Sequence, residues 1–193
     1  MSNNYYFMIY NPPWAGPITH PIIGSGKKFS RGEYISEIDP STSYELQVDN
    51  KAPSPLEFPP LDYFVSSDST TFFSEEMKCC LNEMGVRNVQ YFNINVTYQP
   101  TGENVNCFGA NVLGMLRTVD VNKSDCTLYK GTMLRNIKKI VFDEKNFRDE
   151  LIFRCFEFRS LLVVRKDIKD KFIEKKFTGM LLVLPEDWDE SMQ

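Results

Sequence analysis

The sequence predicts an α+β fold with a mixed, largely antiparallel sheet and two main helices, at about residues 74–84 and 165–176. Two segments carry apolar residues at helical spacing, and each is followed by a glycine and then by an alternating, strand-like segment. Segments 151–158 and 161–164 follow each other almost directly, which favours an antiparallel hairpin. The alternation of helices with strands indicates some parallel pairing as well.

Composition is that of one soluble globular domain. The chain has 193 residues, 42% of them hydrophobic and 25% charged, which is enough to form a sizeable core without disulfides. The formal net charge of −4 argues against general nucleic-acid binding, which requires clustered positive charge. The N-terminus lacks the pattern of a signal peptide and no apolar run could span a membrane, so we expect a cytoplasmic protein.

The N-terminal part, residues 1–60, is predicted to be a loop-rich extension packed on the core. It begins with an aromatic strand at residues 5–10 and is otherwise rich in proline and glycine. Segments 33–38 and 44–48 are predicted to be two short strands. A proline-rich connector ends this part near residue 60, and the main domain, residues 61–185, follows.

The first helix of the main domain has clear ends. Ser74 is a good N-cap, and Gly85 supplies the residue that follows the last turn. Between them one apolar stripe recurs at three- and four-residue spacing. The next segment, residues 89–98, alternates apolar and polar side chains and is predicted to be one strand. The stripe consists of Met77, Cys80, Leu81 and Met84.

The rest of the main domain alternates in the same way. Strands are predicted at residues 107–120 and 137–144, and then in the two hairpin segments. The second helix follows, Gly179 ends that segment, and residues 180–184 form the last strand. Residues 186–193 are an acidic tail.

The sequence offers few residues for catalysis. The chain has one histidine, His20, and no grouping of Cys, His and carboxylates at the spacing of a metal site. We therefore predict no catalytic residue, no metal and no cofactor. An alternative is an enzyme that uses carboxylates of a sheet cleft, such as Asp120 with Asp143 or Glu144, which would require a carboxyl group whose pKa is raised by burial.

Arg154 is the most unusual residue of the predicted hairpin. Strand alternation places it on one apolar face together with Ile152, Phe156 and Phe158. A buried guanidinium needs a carboxylate or several carbonyl acceptors. We therefore predict a structural pair between Arg154 and one acid on a neighbouring strand that fixes the strand register. The candidate acids are Asp120, Asp143 and Glu144.

Two tryptophans are the predicted contacts for a partner. In the tail, Trp188 is surrounded by acids, and an aromatic anchor with acidic neighbours suits a basic protein. The alternative is that Trp188 folds back on the core. Trp14, in the N-terminal loop, is the second anchor. The acids beside Trp188 are Glu186, Asp187, Asp189 and Glu190.

Residues 62–184 resemble a family of immunity proteins of bacterial polymorphic toxin systems, formerly catalogued as a domain of unknown function. The resemblance rests on an ordered set of short motifs, and it departs from the family pattern at Arg165, where a capping Ser or Thr is expected. The motifs are Ser74 and Gly85 at the ends of the first helix, Val89-Gln90 with Phe92, Asp120 and Ser124 in the spacing D-x-x-x-S, Ile152-Phe153-Arg154, and Thr178-Gly179.

This resemblance implies a non-catalytic function. Such proteins bind a secreted toxin and neutralise it, and the expected toxin is a basic, cytoplasm-acting nuclease or other nucleic-acid-directed effector. Besides the carboxylate enzyme, the other alternative is an adaptor that binds a peptide at an exposed strand edge. The expected partner is a protein, with neither nucleic acid nor membrane.

Overall fold

A computed structural model describes residues 4–12, 18–23, 29–47 and 61–188. It confirms the α+β fold: in these ranges two α-helices pack against several mostly antiparallel sheets. The helices are α1 (Glu75–Glu83) and α2 (Lys166–Lys175). The strands are β1 (Tyr5–Tyr10), β2 (Ile18–Ile23), β3 (Ser43–Gln47), β4 (Tyr63–Val65), β5 (Thr71–Ser74), β6 (Val89–Asn93), β7 (Asn95–Tyr98), β8 (Glu103–Asn104), β9 (Cys107–Val112), β10 (Met115–Leu116), β11 (Asp125–Tyr129), β12 (Met133–Lys139), β13 (Ile152–Cys155), β14 (Leu162–Arg165) and β15 (Met180–Val183).

The first sheet has the strand order β10-β13-β14-β1-β15. The predicted hairpin is confirmed, because β13 and β14 pair antiparallel with Phe153 opposite Val163. The short β10 pairs parallel to β13. The N-terminal strand β1 lies between β14 and β15, so the boundary near residue 60 does not separate residues 5–10 from the C-terminal strands.

The central strands of the first sheet, β13, β14 and β1, are buried on both faces. Along β1, Phe7 points into one core cluster and Met8 into the other, as alternation along a strand requires. The Met8 side meets a second sheet, of order β4-β5-β9-β6, together with the apolar stripes of both helices. The Phe7 side is covered by segments 134–147 and 183–188. β13 is covered on both faces by these layers, with Ile152 in one cluster and Phe153 in the other, and Arg154 lies on this strand.

Both predicted helices are present with bounds close to those expected. The Ser74 side chain accepts a hydrogen bond from the Met77 backbone at 3.1 Å, and Gly85 has a positive φ of +85°. α2 begins after Arg165, which makes no side-chain cap, and its last turn is closed by Lys176 in the left-handed conformation. The helix thus ends within one residue of the predicted bound at 176, and Gly179 lies in the connection to the last strand.

The strand predicted for residues 89–98 is wrong as a single element. It divides at Ile94, since β6 pairs with β9 in the second sheet while β7 pairs parallel to β3 in a third sheet of order β2-β3-β7-β8. The strand predicted for residues 137–144 is displaced, because β12 spans Met133–Lys139 and pairs with β11 in a separate two-stranded sheet.

The strand predicted for residues 33–38 is also wrong, because this segment is a loop. No helix in the described part of the chain is long and apolar enough to cross a membrane.

Candidate interaction site

Arg154 is fully buried, as alternation predicted, but the predicted ion pair is wrong. Its Nη1 donates to the Arg159 carbonyl oxygen at 3.2 Å, while Nε and Nη2 have no hydrogen-bond partner. Tyr63 lies nearby and slightly favours the charged guanidinium, but burial raises the pKa of its own hydroxyl, so it supplies no counter-charge at neutral pH. Burial outweighs this effect and lowers the pKa of Arg154 to about 10. Arg154 is therefore a buried cation in an apolar core.

The three acids expected beside Arg154 lie elsewhere. Asp120 is bound to Lys123, with 2.9 Å between Oδ2 and Nζ. The Asp143 carboxylate accepts from Asn146 at 3.2 Å, and the Glu144 carboxylate accepts from the Asn4 backbone at 3.4 Å. All three acids lie in segments between strands, where Asp120 and Asp143 are partly exposed and Glu144 is exposed.

The same geometry bears on the carboxylate enzyme. The hydrogen bond that Asp120 accepts from Lys123 holds the pKa of the Asp120 carboxyl below its usual range. A general acid at neutral pH requires a pKa that is raised. A lowered pKa keeps Asp120 ionised, so Asp120 would not be the general acid of such a pair.

Trp188 is folded back on the core, which is the alternative stated for it, and it is not an exposed anchor. Its side chain is 1% exposed, and its ring centroid lies 5.8 Å from that of Phe7 and 5.2 Å from that of Phe158. Glu186 and Asp187 are exposed on a short turn just before it. The predicted contacts Trp14, Asp189 and Glu190 lie outside the described residues.

A different aromatic is exposed among acids. Tyr34 is 74% exposed, and it lies in a loop at residues 33–39, here called the acidic loop. Glu33, Glu37 and Asp39 are exposed on the same loop. The loop thus combines a large amphipathic ring with acidic side chains, the combination that the sequence predicted at Trp188.

The acidic loop is held by the side-chain amides of Gln90, which is partly buried, and Asn111, which is buried. Gln90, on β6, accepts from the Ile35 backbone N–H and donates to the Ile35 carbonyl, both at 2.9 Å. Asn111, on β9, donates to the Glu33 carbonyl at 2.8 Å and to Gln90 Oε1 at 2.9 Å. The Ile35 side chain is itself buried in a core cluster, so this residue of the loop is held both by its backbone hydrogen bonds and by its side chain.

This anchoring explains why the sequence signal misled. Segment 33–38 contains a tyrosine and two isoleucines, residue types that are common in strands, and the sequence therefore predicts a short strand there. Its backbone partners are side chains of another sheet, and no strand pairs with it among the described residues. The acid-aromatic pattern E-Y-x-x-E is the sequence feature that could have identified it.

A preformed loop of this kind suits protein recognition. Fixing the backbone beforehand lowers the entropy cost of binding, and tyrosine is among the residues enriched at energetic hot spots. The surrounding carboxylates attract a positively charged surface and set its orientation.

Two adjoining surface depressions have volumes of about 560 and 680 Å³. They share Asn4, Tyr5, Glu144 and Lys145. In the smaller one, cations and anions neutralise each other, as in the pairing of Arg165 with Asp167 at 2.6 Å. This lining does not select a ligand of either charge.

Comparison with models of known protein families gives no match for this chain, and comparison with curated proteins gives no match either.

Proposed function

We propose that the protein is an immunity protein that binds and neutralises a cognate secreted bacterial toxin by forming a complex with it in the cytoplasm. The resemblance of residues 62–184 to such proteins motivates the proposal. The observation that supports it on the structural side is Tyr34, exposed among acids on a loop that the side-chain amides of Gln90 and Asn111 hold in place.

Charge complementarity favours a nucleic-acid-directed toxin. An enzyme that acts on nucleic acid needs positive charge to bind phosphates. An acidic surface with an aromatic centre can occupy those same cations and exclude the substrate. The uneven charge of the chain fits this role, since residues 1–100 hold 6 Lys and Arg against 11 Asp and Glu.

The test is co-expression with the product of the neighbouring gene. We expect a stable complex and rescue of growth in cells that express that toxin. Replacing Tyr34 with alanine should weaken the complex by about 30-fold, the effect of losing about 2 kcal/mol at a hot spot. Ile22→Ser is the matched control, because Ile22 is exposed and apolar but lies on β2.

The hydrogen bonds between Gln90 and Ile35 allow a second, independent test of the acidic loop. Gln90→Leu removes both hydrogen bonds to Ile35 and leaves buried backbone groups unpaired, which should cost about 2 kcal/mol of stability. Hydrogen exchange of residues 33–36 should accelerate, and toxin affinity should fall although Tyr34 and the acids are unchanged.

The outcomes separate two claims. Absence of both complex and rescue would refute the immunity function. A complex that forms normally with Tyr34→Ala and Gln90→Leu would keep the function and refute the role of the acidic loop.

A further inference from the structure

The β11–β12 hairpin forms a sheet of its own and is attached to the rest of the molecule by one face. Leu134 and Ile137 of β12 are 4% and 8% exposed and belong to the cluster that contains Trp188. All the residues of β11 except Cys126 are exposed. The hairpin therefore has an inner face fixed to the core and an outer face turned to solvent.

The register identifies the residues of the outer face. Cross-strand partners in an antiparallel pair share a face. Leu128 is opposite the buried Leu134, so the pairs on either side of it, Tyr129 with Met133 and Thr127 with Arg135, point outward. Tyr129 is 42% exposed and Met133 is 57% exposed.

These outward residues form a compact patch. The guanidinium carbon of Arg135 lies 4.3 Å from the centroid of the Tyr129 ring, and Lys130 Nζ lies 5.4 Å from the same centroid. Tyrosine, methionine and arginine are the residue types enriched at protein interfaces. The patch therefore has the composition of a protein-binding surface.

The backbone of the hairpin is defined at both ends of the patch. Three residues, 130–132, connect the paired Tyr129 and Met133, and Lys130 and Gly131 are left-handed, with φ of +51° and +70°. The Thr132 N–H donates to the Tyr129 carbonyl at 3.2 Å and closes the turn. Beyond the patch, Thr127 Oγ1 donates to the Arg135 carbonyl at 2.9 Å, and Asn136 Nδ2 donates to the same hydroxyl at 3.0 Å. The side chains are thus presented by a fixed scaffold.

Charge indicates the chemistry of the occupant. Residues 125–139 contain four bases and one acid, in a chain whose net charge is −4. The basic residues are Lys130, Arg135, Lys138 and Lys139, and the acid is Asp125. A partner of opposite charge would be attracted to this hairpin and repelled from the acidic parts of the surface.

The edge of β11 indicates the conformation of the occupant. No strand pairs with its outer edge in the described ranges, and the strand carries neither lysine nor proline, the usual protection of an open edge. An extended chain can add there as a third strand, and its backbone then forms the hydrogen bonds that the edge leaves open.

We propose that the β11–β12 hairpin binds an extended, acidic segment of a partner protein. The segment lies along β11, its apolar side chains contact Tyr129 and Met133, and its carboxylates contact Arg135 and Lys130. This site is separate from the acidic loop, whose charge calls for a basic surface.

The experiment selects short random peptides, displayed on phage, against the whole protein. We expect the enriched peptides to be acidic with alternating apolar residues, and to slow hydrogen exchange of the β11 amides. The double variant Met133→Ser/Arg135→Glu should bind the enriched peptides with an affinity lower by about tenfold or more. The matched control is Ile173→Ser/Lys175→Glu on α2, where Ile173 is 59% exposed, and it should bind them as the wild type does.

Three results would overturn the proposal. One is enrichment of basic or neutral peptides, another is equal binding by both variants, and the third is tighter binding of single-stranded oligothymidine than of the acidic peptides. The altered side chains are exposed, and unchanged thermal unfolding of each variant would show that the fold is kept. The selection contains no toxin, so its result does not depend on the proposed immunity function.

Discussion

Replacing Arg154 with methionine should stabilise the protein, and replacing it with alanine should destabilise it. The guanidinium is fully buried, and its one hydrogen bond goes to the Arg159 carbonyl. Burial lowers the pKa of Arg154 to about 10 from an ordinary value of about 12.5, which corresponds to about 3 kcal/mol against the charged form. The hydrogen bond returns about 1.5 kcal/mol.

Methionine removes this net cost and fills a comparable volume, so the free energy of unfolding should rise by about 1–2 kcal/mol. Alanine also removes the charge but leaves a cavity that costs about 2–5 kcal/mol, so a net loss of about 2 kcal/mol is expected. The order of stability should be methionine, wild type, alanine. This differs from the expectation for an ion-paired arginine, which methionine would destabilise.

Guanidinium-induced unfolding at pH 7 measures these differences, with Trp188 as the probe because its ring is buried against Phe7 and Phe158. Arg117→Met is the control, since Arg117 is exposed and its replacement should change stability by less than about 0.5 kcal/mol. A methionine variant less stable than the wild type by more than about 1 kcal/mol would show that Arg154 is fully satisfied in the core, and would refute the reasoning.

The pH dependence has a definite sign. The folded pKa of Arg154 is lower than the unfolded one, so the cost is fully present below about pH 10. Above that pH the folded protein releases the proton first, and the cost fades. The advantage of methionine over arginine should therefore shrink as the pH rises from about 10 to about 12.

Two further predictions concern a glycine and the thiols. Gly179→Ala should lower the free energy of unfolding by about 3 kcal/mol or more, because Gly179 has φ +85° and a Cβ there would lie 2.0 Å from the Tyr63 carbonyl oxygen. The control is Gly102→Ala, where φ is +72° and the surrounding space is open, and it should lower the free energy of unfolding by only about 1 kcal/mol. Equal melting temperatures for the two variants would contradict this prediction. A chromogenic disulfide reagent should label the exposed Cys79 first and Cys155 only on unfolding, because Cys155 is buried and burial raises the pKa of its thiol to about 12. Equal labelling rates of the two thiols in the native protein would contradict this and would indicate that β13 opens locally.

Local signals in the sequence predicted α1 well. The Ser74 cap, the apolar stripe from Met77 to Leu81 and the glycine at 85 act within a few residues of one another, and the helix has the expected bounds. The same holds for β1 and for the hairpin of β13 and β14, whose alternation and short connection are local properties. Arg154 was correctly placed in the interior for this reason.

The sequence alone determined the fold class, both helices and the burial of Arg154, because periodicity and capping act between near neighbours. Tertiary structure decided what those elements meet. It divided residues 89–98 between two sheets, turned Asp120 and Asp143 away from Arg154, and buried Trp188. It also made a loop of residues 33–38, because Gln90 and Asn111, more than fifty residues further along the chain, bind its backbone in place of a neighbouring strand. Such contacts join residues far apart in sequence, and the pattern of a single segment does not record them.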